Sequence, residues 1–343
     1  MQPPFTITSA MLTQVAEIAG VVGRLDALGA AGKVPVLRRE NRIRSIHSSL
    51  AIENNSLTLE QVTAVIAGKR VLGPPREIQE VKNAFAAYEA MPAWNPASSK
   101  DLLAAHRLLM AELIDDAGKY RARSGGIAQG EQIVHLAPPA NRVPALMKDL
   151  LGWLKRTDSH PLIAGCVFHY ELEFIHPFAD GNGRIGRLWQ TLVLSRWNPL
   201  FAWLPVESVI RDRQADYYKV LASCDKAGNS TAFIEFLLAA ILTALREAGN
   251  DAPSEQVGAP VGAPVGEQVT KILKACARTP RSKAELLKSA GLANAYLNYK
   301  RHIQPLVAGG LLEMTLPNKP NSRLQKYRLT EKGRRMIDEG KDD

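Results

Sequence analysis

Apolar positions recur every three to four residues along most of the first 245 residues, which predicts a run of amphipathic helices. In "SAMLTQVAEIAGVVGRLDAL" the spacing puts Leu12, Val15, Ile18 or Ala19, Val22 and Leu25 on one face. "PREIQEVKNAFAAYEAM", "SKDLLAAHRLLMAELI" and "VPALMKDLLGWLKR" repeat the same period. "PLIAGCVFHYELEFI" and "RLWQTLVLSRW" are apolar nearly all round, the mark of central helices packed on every side. Strand-like alternation is scarce, except in "GGIAQGEQIVHLAPP", Gly125 to Pro139, where glycines and β-branched residues predict a short exposed hairpin. "GNDAPSEQVGAPVGAPVGEQV" has a tandem Val-Gly-Ala-Pro repeat without core periodicity and reads as a fairly stiff linker. Beyond it, "EQVTKILKACAR", "SKAELLKSAGL" and "ANAYLNYKRHIQPLVAGG" predict three helices. A hairpin of "LLEMTL" and "RLQKYRLT" around "PNKPNS" follows, which completes the layout of a winged helix-turn-helix. The expected fold class is mainly α, with a small C-terminal α+β domain. The expected divisions are an N-terminal helical region over 1–100, a helical core over 101–248, a linker over 249–266 and the winged helix over 267–340.

Composition narrows the class. A chain of 343 residues, 46% hydrophobic and 22% charged, has the makings of a soluble globular protein with two domains. Its apolar runs all fall short of the roughly 18 residues of a membrane span. The first twenty residues carry an acid and no basic leader, so the expectation is neither secretion nor insertion. Cys166, Cys224 and Cys276 are scattered without a C-x-x-C pair, which suits a reducing cytoplasm. The net charge of +9 is concentrated: residues 266–343 hold 16 Lys and Arg against 8 Asp and Glu. Any attraction to nucleic acid therefore belongs to the C-terminal segment. There Lys300, Arg301 and His302 could enter a major groove, and Lys319, Arg323 and Lys326 could touch phosphates.

The chemistry concentrates in "FIHPFADGNGRIGRL", Phe174 to Leu188. Its "GNGRIG" satisfies the dinucleotide pattern G-x-G-x-x-G, and Glu207 lies at a suitable distance for a ribose-binding acid. That reading requires a preceding strand, and a buried helix precedes the loop instead. The physics of anion binding survives. Glycines that open a helix leave backbone N–H groups unshielded, a cradle for phosphate. Arg184 and Arg187 are three apart and neighbour each other on the following helix. Asp180 could hold a Mg²⁺ that bridges phosphates, and His176 is the side chain suited to proton abstraction near neutral pH. Taken singly, Asp180 or Asn182 is equally well an N-cap, His176 a core histidine and the arginines a solvated face. Together, a base, a metal ligand, an anion hole and a cationic clamp within twelve residues point to nucleotide chemistry. His169 and Glu173, four apart on an apolar helix, suit core or supporting roles better than a metal.

"HPFADGNGRIGR", His176 to Arg187, fits the signature H-x-F-x-[D/E]-G-N-G-R-x-x-R at every fixed position, and the chain resembles the Fic (filamentation induced by cAMP) family. "AHRLLM", "GKYRAR", "HLAPPANRVPALMKDLLGWL" and "YYKVLASCDKAGNSTAFIEFLL" are similar to it too, so the likeness covers roughly residues 40–245. The resemblance implies an all-helical core that transfers AMP from ATP to a Ser, Thr or Tyr hydroxyl of a protein, with release of pyrophosphate. It implies His176 as the base and Asp180 as the Mg²⁺ ligand. Gly181, Asn182, Gly183, Arg184 and Gly186 would hold the phosphates, Arg187 would grip the γ-phosphate, and Phe178 would pack the loop into the core. A toxin branch that phosphorylates its target has lysine where this chain has Gly183, which favours nucleotidyl transfer here. The hairpin resembles the family's flap, in which Val134, His135 and Leu136 would pair with an extended target segment. Tyr218 and Asp225 occupy nucleoside-facing positions, where asparagine is usual in place of Asp225.

A second signature lies upstream. In "SSLAIENNSLT", Ser49 and Glu53 stand at i and i+4, on one helical face, and Asn54 follows. This is similar to the [S/T]-x-x-x-E-[G/N] motif of the Fic inhibitory helix, here near 43–54 and N-terminal to the core. The resemblance implies a bidentate pair between Glu53 and Arg187 that closes the γ-phosphate site. The functional readings are thus an autoinhibited protein adenylyltransferase using ATP and Mg²⁺, or a DNA-binding transcriptional regulator with a nucleotide-sensing core. The partners left open are a target protein, the enzyme itself, DNA at the C-terminal domain, and a second copy in a homodimer.

Overall fold

Two successive helices without a polar face have to be surrounded by protein, and the first unit is built around them. The computed structural model describes the chain apart from residues 1, 28–34, 124–125, 130–131, 252–266, 278, 293–298, 300–301, 317–321, 323–324 and 340–343. It gives the backbone alone for 35–37, 126–129, 132–136, 249–251, 308 and 337–339. The chain forms two units, Met1–Pro253 and Ser254–Asp343, and the expected linker falls largely outside the described residues. The fold is mainly α with a small β element, as the hydrophobic pattern predicts.

The first unit contains α1 (Ser9–Ala27), α2 (Pro35–Ile52), α3 (Leu59–Ile66), α4 (Pro75–Ala90), α5 (Ser99–Leu109), α6 (Val143–Arg156), α7 (Pro161–Ile175), α8 (Asn182–Trp197), α9 (Val206–Asp212), α10 (Gln214–Ala227) and α11 (Thr231–Asp251). Every residue from Leu162 to Glu173 on α7 and from Arg184 to Leu194 on α8 is buried. The two helices pack against each other, α6 and α11 cover α7, and α1 lies on α11. Glycine makes the central contact close: a Cβ at Gly165 would lie 3.3 Å from Leu194, and one at Gly186 would lie 3.1 Å from the His169 ring. On α1 the buried face runs Met11, Ile18, Val22 and Leu25, while Leu12 is exposed. Met11 continues the line of Ile18 and Val22 at helical spacing, so the apolar Leu12 is the residue left facing out. The N-terminus is tied down by Thr8 Oγ1 donating to Glu235 at 2.6 Å and by Ser230 N–H donating to Pro4 O at 2.9 Å.

The expected hairpin is present as β1 (Gly126–Gln129) and β2 (Gln132–Leu136), antiparallel. Gly126 pairs with Leu136 and Ile127 with His135. The register then shifts, so that Val134 is the extra residue of a bulge.

In the second unit, α12 (Glu267–Ala275), β3 (Arg281–Ser282), α13 (Lys283–Ser289), α14 (Gln304–Ala308), β4 (Leu312–Met314), β5 (Lys326–Leu329) and α15 (Glu331–Glu339) enclose their own core. The antiparallel sheet has order β3-β5-β4, with Leu312 opposite Leu329 and Met314 opposite Tyr327. Ser282 and Glu285 form a capping box that starts α13. The last helix, α15, has no counterpart in the predicted elements, because charged residues fill most of its sequence "EKGRRMIDE".

Trp189 tests the central packing. It is fully buried on α8, stacks on Trp94 at 6.1 Å and donates its indole N–H to Pro96 O at 2.9 Å. We expect Trp189→Ala to destabilise the first unit by roughly 3–5 kcal/mol. Chemical denaturation checks this, and a loss below about 1 kcal/mol contradicts the central placement.

Candidate active site

The loop between α7 and α8 starts with a conflict. Pro177 disfavours helical backbone in the residue before it, and His176 leaves the helix in the left-handed region, φ 50° and ψ 60°. For a non-glycine residue that conformation costs on the order of 1–2 kcal/mol, and the surroundings hold it. The His176 N–H still reaches Leu172 O at 2.9 Å, and its carbonyl accepts from Arg121 Nε at 2.7 Å. The buried Arg121 also donates to Ile175 O at 3.3 Å and to Pro138 O at 2.6 Å, while its own N–H bonds Pro177 O at 2.9 Å. One cation thus satisfies the last carbonyls of α7 and ties them to the base of the hairpin.

The loop itself is held by buried side chains. Phe178 is fully buried, stacked on the His106 ring at 3.7 Å and 5°. His106 Nδ1 accepts from Gly118 N–H at 2.9 Å, so Nε2 carries the proton and donates to Asp180 O at 2.9 Å. Burial pushes the His106 pKa down to about 4, which keeps the ring neutral in this role. Asn182 accepts from Phe178 N–H and donates to Phe178 O, both at 2.9 Å. Its amide therefore closes the loop, and what it offers an anion is its backbone N–H. Gly181 has φ 82°, and a Cβ there would run into Met110 Sδ at 2.6 Å. It opens α8, whose first-turn N–H groups have no acceptor within the helix.

The charged groups meet at the start of α8. Arg184, only 6% exposed, donates from Nη2 to Asp180 Oδ1 at 2.8 Å and from Nη1 to Glu80 Oε1 at 3.2 Å. Arg76 Nη2 reaches Asp180 Oδ2 at 3.1 Å. One turn further on, Arg187 is 2% exposed; its Nε donates to Ser49 Oγ at 3.0 Å, and its Nη2 to Ser49 O at 2.9 Å and Glu53 Oε1 at 2.7 Å. Burial, the largest single influence, pushes its pKa down, but Glu53 together with Tyr217 and Glu173 outweighs this and the net direction is up. The pair is not bidentate as expected: Glu53 touches Nη2 through one oxygen, because the Ser49 hydroxyl takes Nε. Asn54 has φ 67°, a conformation open to Gly and Asn, and this turn carries Glu53 back over the loop. A Cβ at Gly183 would collide with Glu53 Oε1 and lie 3.0 Å from Arg187 Nη1.

Ser49, Glu53, Asp180, Asn182, Gly183, Arg184 and Arg187 thus come together. Gly186 faces His169 and Glu173 instead, a packing glycine between α7 and α8. Tyr218 is half exposed, with its hydroxyl 3.5 Å from Ile52 O at the end of α2, and Asp225 accepts from Tyr170 at 2.9 Å. Glu207, the candidate ribose acid, is buried and accepts from Tyr88 at 2.9 Å. His169 is a core histidine: Nδ1 lies 2.7 Å from Gln190 Oε1, Nε2 lies 3.1 Å from Tyr217, and burial pushes its pKa down to about 3. Among the described residues no cluster of three or more His, Cys, Asp and Glu could hold a metal. Asp180, with 39% of its side chain exposed, is a lone carboxylate; that donor set suits a Mg²⁺ that arrives with phosphates and keeps water ligands. Val134, His135 and Leu136 are described by backbone alone, Lys300, Arg301, Lys319 and Arg323 lie outside the described residues, and Lys326 is exposed on β5. Sequence reasoning gave no role to Arg76, Glu80, His106 or Arg121. "AHRLLM" and "GKYRAR" contain two of them, but their partners are long-range. Among the described residues no helix is long and apolar enough to cross a membrane.

Comparison with known proteins finds relatives of both units. The model for the Fic/DOC family matches residues 96–194, and that for "Filamentation induced by cAMP protein Fic-like, C-terminal domain" matches 267–330. The chain is 54% identical to a Fic family protein from Desulfovibrio desulfuricans G20, with a TM-score of 0.72 over 96% of this chain and 99% of that one. The Protein adenylyltransferase Fic of Nematostella vectensis is 29% identical over 60% of this chain and 49% of its own length. The one from Culex quinquefasciatus is 28% identical over 58% of this chain and 40% of its own length. The chain therefore spans about half or less of these curated relatives.

His106 gives this arrangement a pH signature. Its folded pKa of about 4 lies below the ordinary 6.5, so its contribution is full above pH 6.5 and is lost as pH falls toward 4, by about 3 kcal/mol. We expect His106→Ala to be less stable than wild type at pH 7.5, with the gap narrowing markedly at pH 4.5 in denaturant titrations. An equal gap at both values contradicts a neutral, doubly bonded imidazole.

Proposed function

The chain belongs to the Fic family, and on that premise we propose that it transfers AMP from ATP to a hydroxyl of a target protein and that Glu53 inhibits it. The observation that carries this reading is the shared position of Gly183, Glu53 and Arg187. The Glu53 carboxylate occupies the space a side chain at residue 183 would need, and it contacts the arginine proposed for the γ-phosphate. A lysine at 183, as in the phosphorylating branch, would displace the Glu53 carboxylate from this position. Glycine together with an inhibitory glutamate supports nucleotidyl transfer.

In the proposed reaction the His176 imidazole accepts the proton of the target hydroxyl as that oxygen attacks the α-phosphorus. The bond from the α-phosphorus to the bridging oxygen breaks, and pyrophosphate leaves. The first-turn N–H groups of α8 and the guanidinium of Arg184 hold the phosphates that become the leaving group. Arg187 orients the terminal phosphate once Glu53 has moved. Asp180 would hold Mg²⁺, which neutralises phosphate charge when bound. Tyr218, beside the end of α2, lines the nucleoside side. The hairpin would accept an extended target segment as an added strand at its bulged edge.

Loss of Glu53 should release the site. A charge-assisted hydrogen bond contributes about 1.5–3 kcal/mol, so we expect Glu53→Gly to raise AMP incorporation from labelled ATP by about tenfold to a hundredfold, self-modification included. His176→Ala in the same background should abolish it. No gain from Glu53→Gly with any substrate would show the inhibitory assignment to be wrong.

A further inference from the structure

We propose that Glu80, on α4, is a positioning residue for the transfer: it holds Arg184 by one corner and so keeps the other edge of the guanidinium for ATP phosphates. The proposal rests on the AMP-transfer reading of the site.

The covalent geometry of arginine carries the argument. Nε and Nη2 lie along one edge of the planar guanidinium, spaced to meet two oxygens of a carboxylate or phosphate, and Nη1 projects from the far corner. Glu80 Oε1 takes Nη1 at 3.2 Å. Asp180 takes Nη2 at 2.8 Å. Nε is buried and has no hydrogen-bond partner among the described residues. A buried donor left unmade is unfavourable and points to an acceptor that arrives with a ligand. Release of Asp180 alone then opens the whole Nε–Nη2 edge, while Glu80 stays as the carboxylate on a guanidinium that is almost wholly out of water.

Glu80 is itself fixed. Its Oε2 accepts from Asn55 Nδ2 at 2.8 Å, and Arg76 Nε stands 3.8 Å from Oε1. Asn55 also donates to Glu77 O at 3.2 Å and accepts from Leu57 N–H at 3.2 Å. Its side chain is thereby anchored between α4 and the turn that follows Glu53. The contrast with Glu53 is geometric: that carboxylate lies over Gly183, whereas Glu80 engages Nη1 of Arg184 and leaves the Nε–Nη2 edge untouched.

The test takes Glu53→Gly as reference and varies ATP in AMP-incorporation assays. Adding Glu80→Gln, which keeps the shape and removes the charge, should raise KM for ATP about tenfold with kcat changed less than about threefold, as expected for loss of one charge-assisted contact. Adding Glu80→Asp should recover part of the loss. Calorimetric titration with ATP reads the same effect whether or not AMP is transferred: Glu80→Gln should bind about tenfold more weakly. Unchanged KM and unchanged affinity overturn the proposal. A gain in AMP incorporation from Glu80→Gln in the otherwise wild-type chain overturns it too, since Glu80 would then be a second inhibitory carboxylate. Absence of AMP incorporation by Glu53→Gly alone is instead a failure of the activity reading.

Discussion

A guanidinium buried as fully as that of Arg187 must have negative charge beside it, and much of the first unit follows from that requirement. Taking such a cation out of water costs several kcal/mol unless its donors are satisfied and a counter-charge is near. Ser49 meets two donors through its hydroxyl and carbonyl, and Glu53 supplies the charge. Glu173 adds a weaker attraction, and Arg187 in turn partly offsets the upward push of burial on the carboxyl of Glu207. The requirement is for negative charge, not for one particular residue. On the proposed reading a terminal phosphate would meet it in place of Glu53, and Glu53 and nucleotide would then be alternatives.

In the proposed exchange Glu53 leaves Arg187 and Asp180 leaves Arg184, while the rest of the loop is already held. Arg121 locks the end of α7, the His106 and Phe178 stack fixes the loop from below, and the Asn182 amide closes it on itself. These contacts are made before any substrate arrives, so little reorganisation remains for the reaction. The side chain of Glu53, by contrast, is 32% exposed and joined to Arg187 through a single oxygen, whereas the side chain of Arg187 is 1% exposed. Of this pair, the partner proposed to give way is the more exposed one.

Much of this was legible in the chain because the relevant signals are local. The apolar surround of α7 and α8 announces central helices, the loop chemistry occupies twelve consecutive residues, and Ser49 and Glu53 are one helical turn apart. What could not be read joins residues distant in sequence. Glu80 and Arg184 are 104 positions apart, and Arg121 and His176 are 55 apart, with no spacing rule to connect them. The one-oxygen contact of Glu53 depended on a competitor, the Ser49 hydroxyl. The face of α1 was misplaced by one residue because Met11 and Leu12 are both apolar, and tertiary packing decides between them. The packing of Gly186 against His169 and the closure of the loop by the Asn182 amide likewise depend on contacts the local motif does not announce.

The central claim is that Glu53 and the terminal phosphate of ATP compete for Arg187. Calorimetric measurement of ATP affinity in wild type and in Glu53→Gln, which keeps the size of the side chain and removes its charge, tests that competition most directly. The account predicts binding about tenfold tighter in Glu53→Gln, the equivalent of roughly 1.4 kcal/mol. Equal affinity in the two proteins would contradict it.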